Sequence, residues 1–188
     1  MGHRLGIIAG SGEIPFLVIE EVQSLGYSCV VATVRGAADK ALTEKAQVLE
    51  WFDVDEMLRA TAFFKKSGVR EAVFAGKVDH SVIYKKKGLG RETLHLKDRT
   101  PSSLLRAVID YMSREGIKIQ NPMQFLSSAL CEEGILTQTR PSSETEEDID
   151  FGWKTARRVA DLDIGQTIVV KDKAVVAVEG MEGTDEVI

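Results

Sequence analysis

The run Gly10-Ser11-Gly12-Glu13-Ile14-Pro15 is the segment best suited to hold a charged ligand. Glycines let a backbone approach a ligand closely. A turn that opens a helix presents unpaired N–H groups and the positive end of the helix dipole. Together these favour a phosphate or a nucleotide; the plain alternative is a tight turn with a purely structural role. The dinucleotide fingerprint is not met. Pro15 stands where a third glycine would allow close helix–strand packing, and Val34-Arg35 ends the second strand where an acid would take the ribose. Gly10, Ser11 and Gly12 are the candidate phosphate or nucleotide contacts.

Near the other end, Glu179-Gly180-Met181-Glu182-Gly183-Thr184-Asp185 spaces three carboxylates by three residues in a glycine-broken loop. Hard cations such as Mg²⁺ take oxygen ligands on an adaptable backbone, so Glu179, Glu182 and Asp185 are candidate metal ligands; a solvated acidic turn is the alternative. In Asp163-Ile164-Gly165-Gln166 the glycine supports a turn, and the Gln166 amide suits a sugar or a base. Lys77 follows Gly76 at a strand end, where α/β proteins place ligand contacts. It opens a basic stretch, 77–99, with seven Lys and Arg against three Asp and Glu. That charge suits a phosphorylated or membrane-bound substrate, with a solvated loop as the alternative. His3, His80 and His95 are scattered, with no Ser/His/Asp arrangement and no HExxH motif; only His80 lies near a strand end.

Alternating strands and helices position these residues. Leu5–Ala9 is a buried-strand run, and Ile14, Leu17, Val18, Val22 and Leu25 follow helical spacing up to Gly26. Cys29–Val34 is the second strand of a βαβ unit. Further strands are expected at Ala46–Trp51, Glu71–Ala75 and Ile117–Ile119. Helices are expected at Val54–Ala62, Leu104–Met112 and Pro122–Leu130. The alternation specifies a Rossmann-like α/β fold, a parallel sheet with helices on both faces, over residues 1–131. Residues 132–142 read as a linker, and 143–188 as the start of a smaller second α/β domain. There Ser143-Glu144-Thr145-Glu146 forms a capping box, Ile149, Trp153, Ala156 and Ala160 share a helix face, and Thr167–Lys171 and Ala174–Glu179 form a hairpin. Trp51, Trp153, Phe63 and Phe64 are expected in the core or an interface.

The chain has 188 residues, is 44% hydrophobic and 28% charged, and lacks both a disordered composition and an apolar run of membrane-spanning length. Residues 1–131 carry 18 Lys and Arg against 15 Asp and Glu, a net +3; residues 132–188 carry 6 against 14, a net −8. That split argues against a nucleic-acid binder. Cys29 and Cys131 form no CxxC and no metal spacing, so a reduced, cytoplasmic setting is expected.

Four segments carry a resemblance: LGIIAGSGEIP from Leu5, VFAGKV from Val73, DIGQTIVVKDKAVVAVE from Asp163, and EGMEGTDEVI from Glu179. Together and in this order they resemble the LpxI-type UDP-2,3-diacylglucosamine pyrophosphatases of Gram-negative lipid A biosynthesis. The resemblance implies a Rossmann-like first domain, a smaller second domain, a substrate between them and a requirement for Mg²⁺. It implies cleavage of UDP-2,3-diacylglucosamine to UMP and 2,3-diacylglucosamine 1-phosphate (lipid X), by water attacking the phosphate next to the sugar. The partner it implies is a lipid-linked sugar nucleotide met in the cytoplasm, at the inner membrane face. Gly10, Ser11, Gly12 and Lys77 would then contact phosphate or nucleotide. Gln166, Thr184 and Asp185 would face the substrate from the second domain, with Asp185 catalytic, and Glu179, Glu182 and Asp185 would hold or support the metal. Two departures stand out: VDHSVIYKKKGLGR after Lys77 lacks an Arg-Pro character, and no Phe-Asp-Leu-Pro-like motif follows the Glu-Gly-Thr-Asp segment. The resemblance thus presents the chain as a first domain and the opening of a catalytic one, with an inactive fragment as its expected behaviour. A non-catalytic sugar-nucleotide binding module is the alternative.

Overall fold

A computed structural model describes residues 3–78 and 100–188, in two compact units, Met1–Leu130 and Cys131–Ile188. The basic stretch beyond Val78, with His80 and His95, lies outside the described residues.

In the first unit, strands β1 (Arg4–Ala9), β2 (Ser28–Val34), β3 (Val48–Phe52), β4 (Glu71–Ala75) and β5 (Lys118–Ile119) form one parallel sheet in the order β3-β2-β1-β4-β5. The connections run outward from β1 to one edge and then resume at β4 on its other side. The C-terminal ends of β1 and β4 therefore meet where the strand order reverses, the usual ligand crevice of an open α/β sheet. Helices α1 (Ile14–Ser24), α2 (Leu42–Lys45), α3 (Met57–Lys66) and α4 (Pro101–Arg114) complete the unit. The fold is the expected Rossmann-like one.

Alternation along each strand splits the core in two. Ile7, Val31 and Val73 pack with Val18, Ile19 and Val22 of α1, while Ile8, Ala32 and Val34 pack with Phe64 of α3 and with Leu104, Val108 and Met112 of α4. Each such fully buried aliphatic side chain contributes about 1.5–3 kcal/mol. Cys29 lies in the first of these layers, where burial pushes its thiol up to about 11. Phe64 is fully buried, and Gly6 makes room for it, since a Cβ there would lie 3.1 Å from the ring.

Several local expectations need correction. In α1 the buried set is Pro15, Val18, Ile19 and Val22, whereas Ile14, Leu17 and Leu25 are exposed. The third strand begins at Val48, and α3 begins only at Met57, leaving Val54 buried in the preceding loop. Pro122–Leu130 is not one helix but two short 3₁₀ turns, Pro122–Phe125 and Ser127–Ala129; the Asn121 side chain accepts from Met123 N–H and closes the first tightly. Leu105 is exposed beside the buried Leu104.

The second unit holds α5 (Ser143–Asp161), a hairpin of β6 (Ile168–Lys171) and β7 (Ala174–Val178), and a closing turn of helix, α6 (Thr184–Val187). The cap of α5 is Ser142 rather than Ser143, its hydroxyl accepting from Thr145 N–H; the cap lies one residue earlier than the spacing suggested, and with Thr145 as the third helical residue the expected Ser-x-x-Glu box does not form. The Asp172-Lys173 turn has both residues at positive φ, 52° and 58°, as a two-residue hairpin of the favoured hand requires. Asp148 of α5 clamps that turn: its carboxylate accepts from Asp172 N–H at 3.0 Å and from Lys173 N–H at 2.6 Å. Glu147 adds an ion pair to the Lys173 ammonium at 2.6 Å. Burial is shallow here. Gly152, packed on Val170, is the only buried residue among those described in this unit, and Ile149 and Trp153 remain 57% and 66% exposed. In so thin a unit, directional bonds carry much of the order. Asp148→Ala should cost the second unit about 1–3 kcal/mol, most of two charge-assisted bonds, and should speed amide exchange at Asp172 and Lys173. Unchanged exchange at these two amides would show that the clamp contributes nothing.

No described helix is long and apolar enough to cross a membrane.

Candidate functional site

In the first unit the turn after β1 and the turn after β4 cross each other. Gly10 N–H donates to Ala75 O at 2.8 Å, Ser11 N–H to Lys77 O at 2.7 Å, and Lys77 N–H to Ser11 O at 3.1 Å. The Ser11 hydroxyl also donates to Lys77 O, at 2.9 Å. Glycine is demanded on both sides. A Cβ on Gly10 would lie 2.8 Å from the Lys77 carbonyl carbon, and one on Gly76 would lie 2.9 Å from Pro15 Cγ and against Ser11 O. Gly76 also sits at φ 84°, open to glycine and costly for other residues. The close helix–strand packing that a third glycine gives in dinucleotide folds is supplied here from the other partner, with Gly76 accommodating Pro15.

This geometry sorts the four candidates of the first unit. Gly10 is buried at the crossing, and Ser11 spends both its N–H and its hydroxyl proton on Lys77 O, so these two hold the turn in shape. Gly12 is exposed at φ 88°, with nothing within 4 Å of where its Cβ would be. The N–H groups of Gly12, Glu13 and Ile14 donate in no backbone hydrogen bond among the described residues, and they stand at the start of α1. Lys77 is exposed beside them. Sequence reasoning missed Glu13, the N-cap residue, which makes no side-chain cap and places a carboxylate at the same mouth. Its identity was legible; its position on the dipole end was not.

In the second unit the two motifs interlock. Gln166 N–H donates to Glu179 Oε2 at 3.0 Å, Thr184 Oγ1 donates to Glu179 Oε1 at 2.9 Å, and Glu179 N–H donates to Thr167 O at 2.9 Å. The Thr167 and Thr184 hydroxyls meet at 3.4 Å. Gly165 allows this: a Cβ there would lie 2.7 Å from the Glu179 carbonyl carbon. The Gln166 N–H, with the Thr184 and Thr167 hydroxyls, holds the Glu179 carboxyl below the usual carboxylate range, partial desolvation working against them. Glu182 folds back to accept from Gly180 N–H at 2.7 Å. Asp185, on α6, is exposed. Thr167 was also missed; its signal was its place directly after Gln166, at the foot of β6.

The structure thus brings Gln166, Glu179 and Thr184 together, while Glu182 turns to its own loop. Glu179 and Glu182 use carboxylate oxygens inside the protein, and no group of three or more His, Cys, Asp and Glu side chains able to hold a metal ion occurs among the described residues. Glu179, Glu182 and Asp185 do not form a three-carboxylate cage.

Because the folded Glu179 carboxyl titrates below its unfolded value near ~4.3, its contribution to stability is present above that value. It is lost as pH falls through the lowered folded value. Lowering the pH from about 6 through the lowered folded value should therefore release the Gln166 amide, seen as an upfield shift of its N–H signal. A Gln166 amide signal that stays fixed while the Glu179 carboxyl protonates would rule out the contact.

Residues 4–129 match the LpxI N-terminal domain, and residues 132–188 match the LpxI C-terminal domain. The UDP-2,3-diacylglucosamine pyrophosphatase LpxI of Caulobacter vibrioides (strain ATCC 19089 / CIP 103742 / CB 15) is 29% identical over 193 residues, covering 97% of this chain and 67% of that protein. Among solved structures, UDP-glucose-4-epimerase from Stenotrophomonas maltophila, with bound NAD and formylated UDP-arabinopyranose, aligns with a TM-score of 0.45 at 13% identity. That alignment covers 85% of this chain and 49% of the epimerase. The chain spans about two thirds of the length of the curated relative and about half that of the epimerase. Matched along nearly its whole length by the two domains in their order, the chain belongs to the LpxI family.

Proposed function

We propose that this protein acts on UDP-2,3-diacylglucosamine and hydrolyses its pyrophosphate, giving UMP and 2,3-diacylglucosamine 1-phosphate. One observation carries the reading: both units match LpxI domains, and a pyrophosphatase named for that substrate aligns along 97% of the chain. In the reaction, the oxygen of water joins the phosphorus next to the sugar. The bond from that phosphorus to the bridging oxygen breaks, UMP leaves with that oxygen, and the protons of water pass to the phosphates and solvent.

The chain's own residues divide this work. The N–H groups of Gly12, Glu13 and Ile14, at a helix start, suit a phosphate oxygen, and the Lys77 ammonium adds charge beside them. The Gln166 side-chain amide suits the sugar or the base, held in place by its own N–H on Glu179. Thr184 braces Glu179, and Asp185 remains an exposed carboxylate beside it on α6. Mg²⁺ commonly takes one or two protein carboxylates and completes its shell with water and substrate phosphates, so Asp185 fits it as a single ligand rather than as part of a cage. Bound there, the ion would neutralise charge on the pyrophosphate.

The test is UMP binding followed by turnover. Gly12→Val should weaken UMP at least about tenfold while the first unit stays folded. Equal binding by the variant and the unchanged protein would remove the phosphate role from this turn. UMP release from UDP-2,3-diacylglucosamine, with ¹⁸O from labelled water appearing in the sugar phosphate, supports hydrolysis; failure to bind that substrate overturns the reading. A second reading, a sugar-nucleotide binding module, draws on the lack of a three-carboxylate group among the described residues. Tight binding of the substrate with no UMP released would favour it.

A further inference from the structure

The first unit contains an apolar cavity that neither the glycine turn nor the acidic loop uses. Its volume is about 270 Å³, and Ile8, Val34, Phe52, Met57, Leu104 and Val108 are among the residues that line it. Protein interiors hold few voids larger than a water molecule. An apolar cavity of about 150 Å³ is already enough to take benzene, so this one is large. It lies between the sheet and the two helices α3 and α4, and Gly76 and Val78 bring its lining to the end of β4. Its lining therefore reaches the crossing of the β1 and β4 turns.

The lining decides the ligand's chemistry. Among the described residues it holds two polar side chains, Thr33 and Asp53, and no Lys, Arg or His. The Thr33 hydroxyl is already donated to Glu50 O at 2.8 Å and is fully buried. A pyrimidine base would leave several donors and acceptors without partners here, at a large desolvation cost. A phosphate would meet no cation among the described lining residues. A hydrocarbon chain needs neither, and gains from every apolar contact.

We propose that this cavity takes one acyl chain of the lipid-linked substrate. The inference rests on the substrate class proposed above and adds where in the fold the hydrocarbon goes. Its place beside the turns keeps the acyl chain near the phosphate-binding N–H groups, so that one molecule spans both.

The test uses methyl NMR of the whole chain with two separate probes, decanoate and UMP. Decanoate should shift the methyl signals of Ile8, Met57 and Val108, and UMP should leave them in place. Ala60→Phe fills the cavity from α3, where Ala60 is 5% exposed, and Leu105→Asp puts a charge at its 46% exposed rim without touching the core. Each variant should weaken decanoate and UDP-2,3-diacylglucosamine at least about tenfold and change UMP by less than about twofold. If Ala60→Phe fails to fold, Leu105→Asp still decides. Methyl signals unmoved by decanoate, or moved by UMP, would overturn the proposal, the second result marking a base pocket. Decanoate binding with no affinity for UDP-2,3-diacylglucosamine would overturn the substrate class, and with it the assignment to that lipid, while hydrocarbon binding in the cavity stood.

Discussion

Gly76→Ala should cost the first unit about 2–5 kcal/mol, seen as a lower urea midpoint with an unchanged slope. Two effects add. At φ 84° an L side chain is strained by about 1–2 kcal/mol. The new methyl would also press on Ser11 O and lie 2.9 Å from Pro15 Cγ, in a crossing fixed by backbone hydrogen bonds on both sides. Backbone cannot give way as a flexible side chain can, so overpacking adds about 1–3 kcal/mol. Gly12→Ala is the matched control: φ is 88°, but no atom lies within 4 Å of the new Cβ, so only the conformational part applies. Equal midpoints for the two variants would show that the crossing carries no steric demand. UMP binding should fall with Gly76→Ala as well, because the crossing sets where the N–H groups of the turn point.

The second large effect is expected at Gly165. A methyl there would collide with the Glu179 carbonyl, lying 2.7 Å from its carbon. The cost should be about 2–4 kcal/mol, from overpacking and from the loss of the Gln166–Glu179 hydrogen bond. In a unit with so little buried surface that is enough to release the loop. Fast exchange at the Gln166 and Glu179 amides would report it, with the first unit's amides unaffected. Turnover of UDP-2,3-diacylglucosamine should drop at least about tenfold through misplacement of Gln166, Thr184 and Asp185. Protected Gln166 and Glu179 amides in Gly165→Ala would show that the two motifs do not depend on this approach.

The two glycines also show what could be read from residue order. Strand–helix alternation, the turn after β1, the glycine at the end of β4 and the Asp172-Lys173 hairpin are local features. Each depends on a few neighbouring residues, so hydrophobic periodicity and turn chemistry are enough to find them. The motifs that carry the family resemblance were legible for the same reason. Where local signals were doubled, they misled. Ser142 and Ser143 are both capable caps, and only backbone conformation at Ser142 selects it. In α1 two overlapping stripes have helical spacing, and contact with the sheet chooses Pro15, Val18, Ile19 and Val22.

What the amino-acid sequence alone determined is the set of elements, the chemical types at their ends and the family. What only the tertiary structure decided is which of these ends meet. Ser11 and Lys77 are 66 residues apart, and they pair because β4 inserts beside β1 rather than beside β3. Their glycines were legible as places of close approach, but the partner approached is the backbone of the other turn, which leaves Gly12 as the open position. Gln166 and Glu179 likewise meet only through the hairpin register. Strand order and register are fixed by the summed packing of both sheet faces, a sum over contacts distant in sequence that no local window contains.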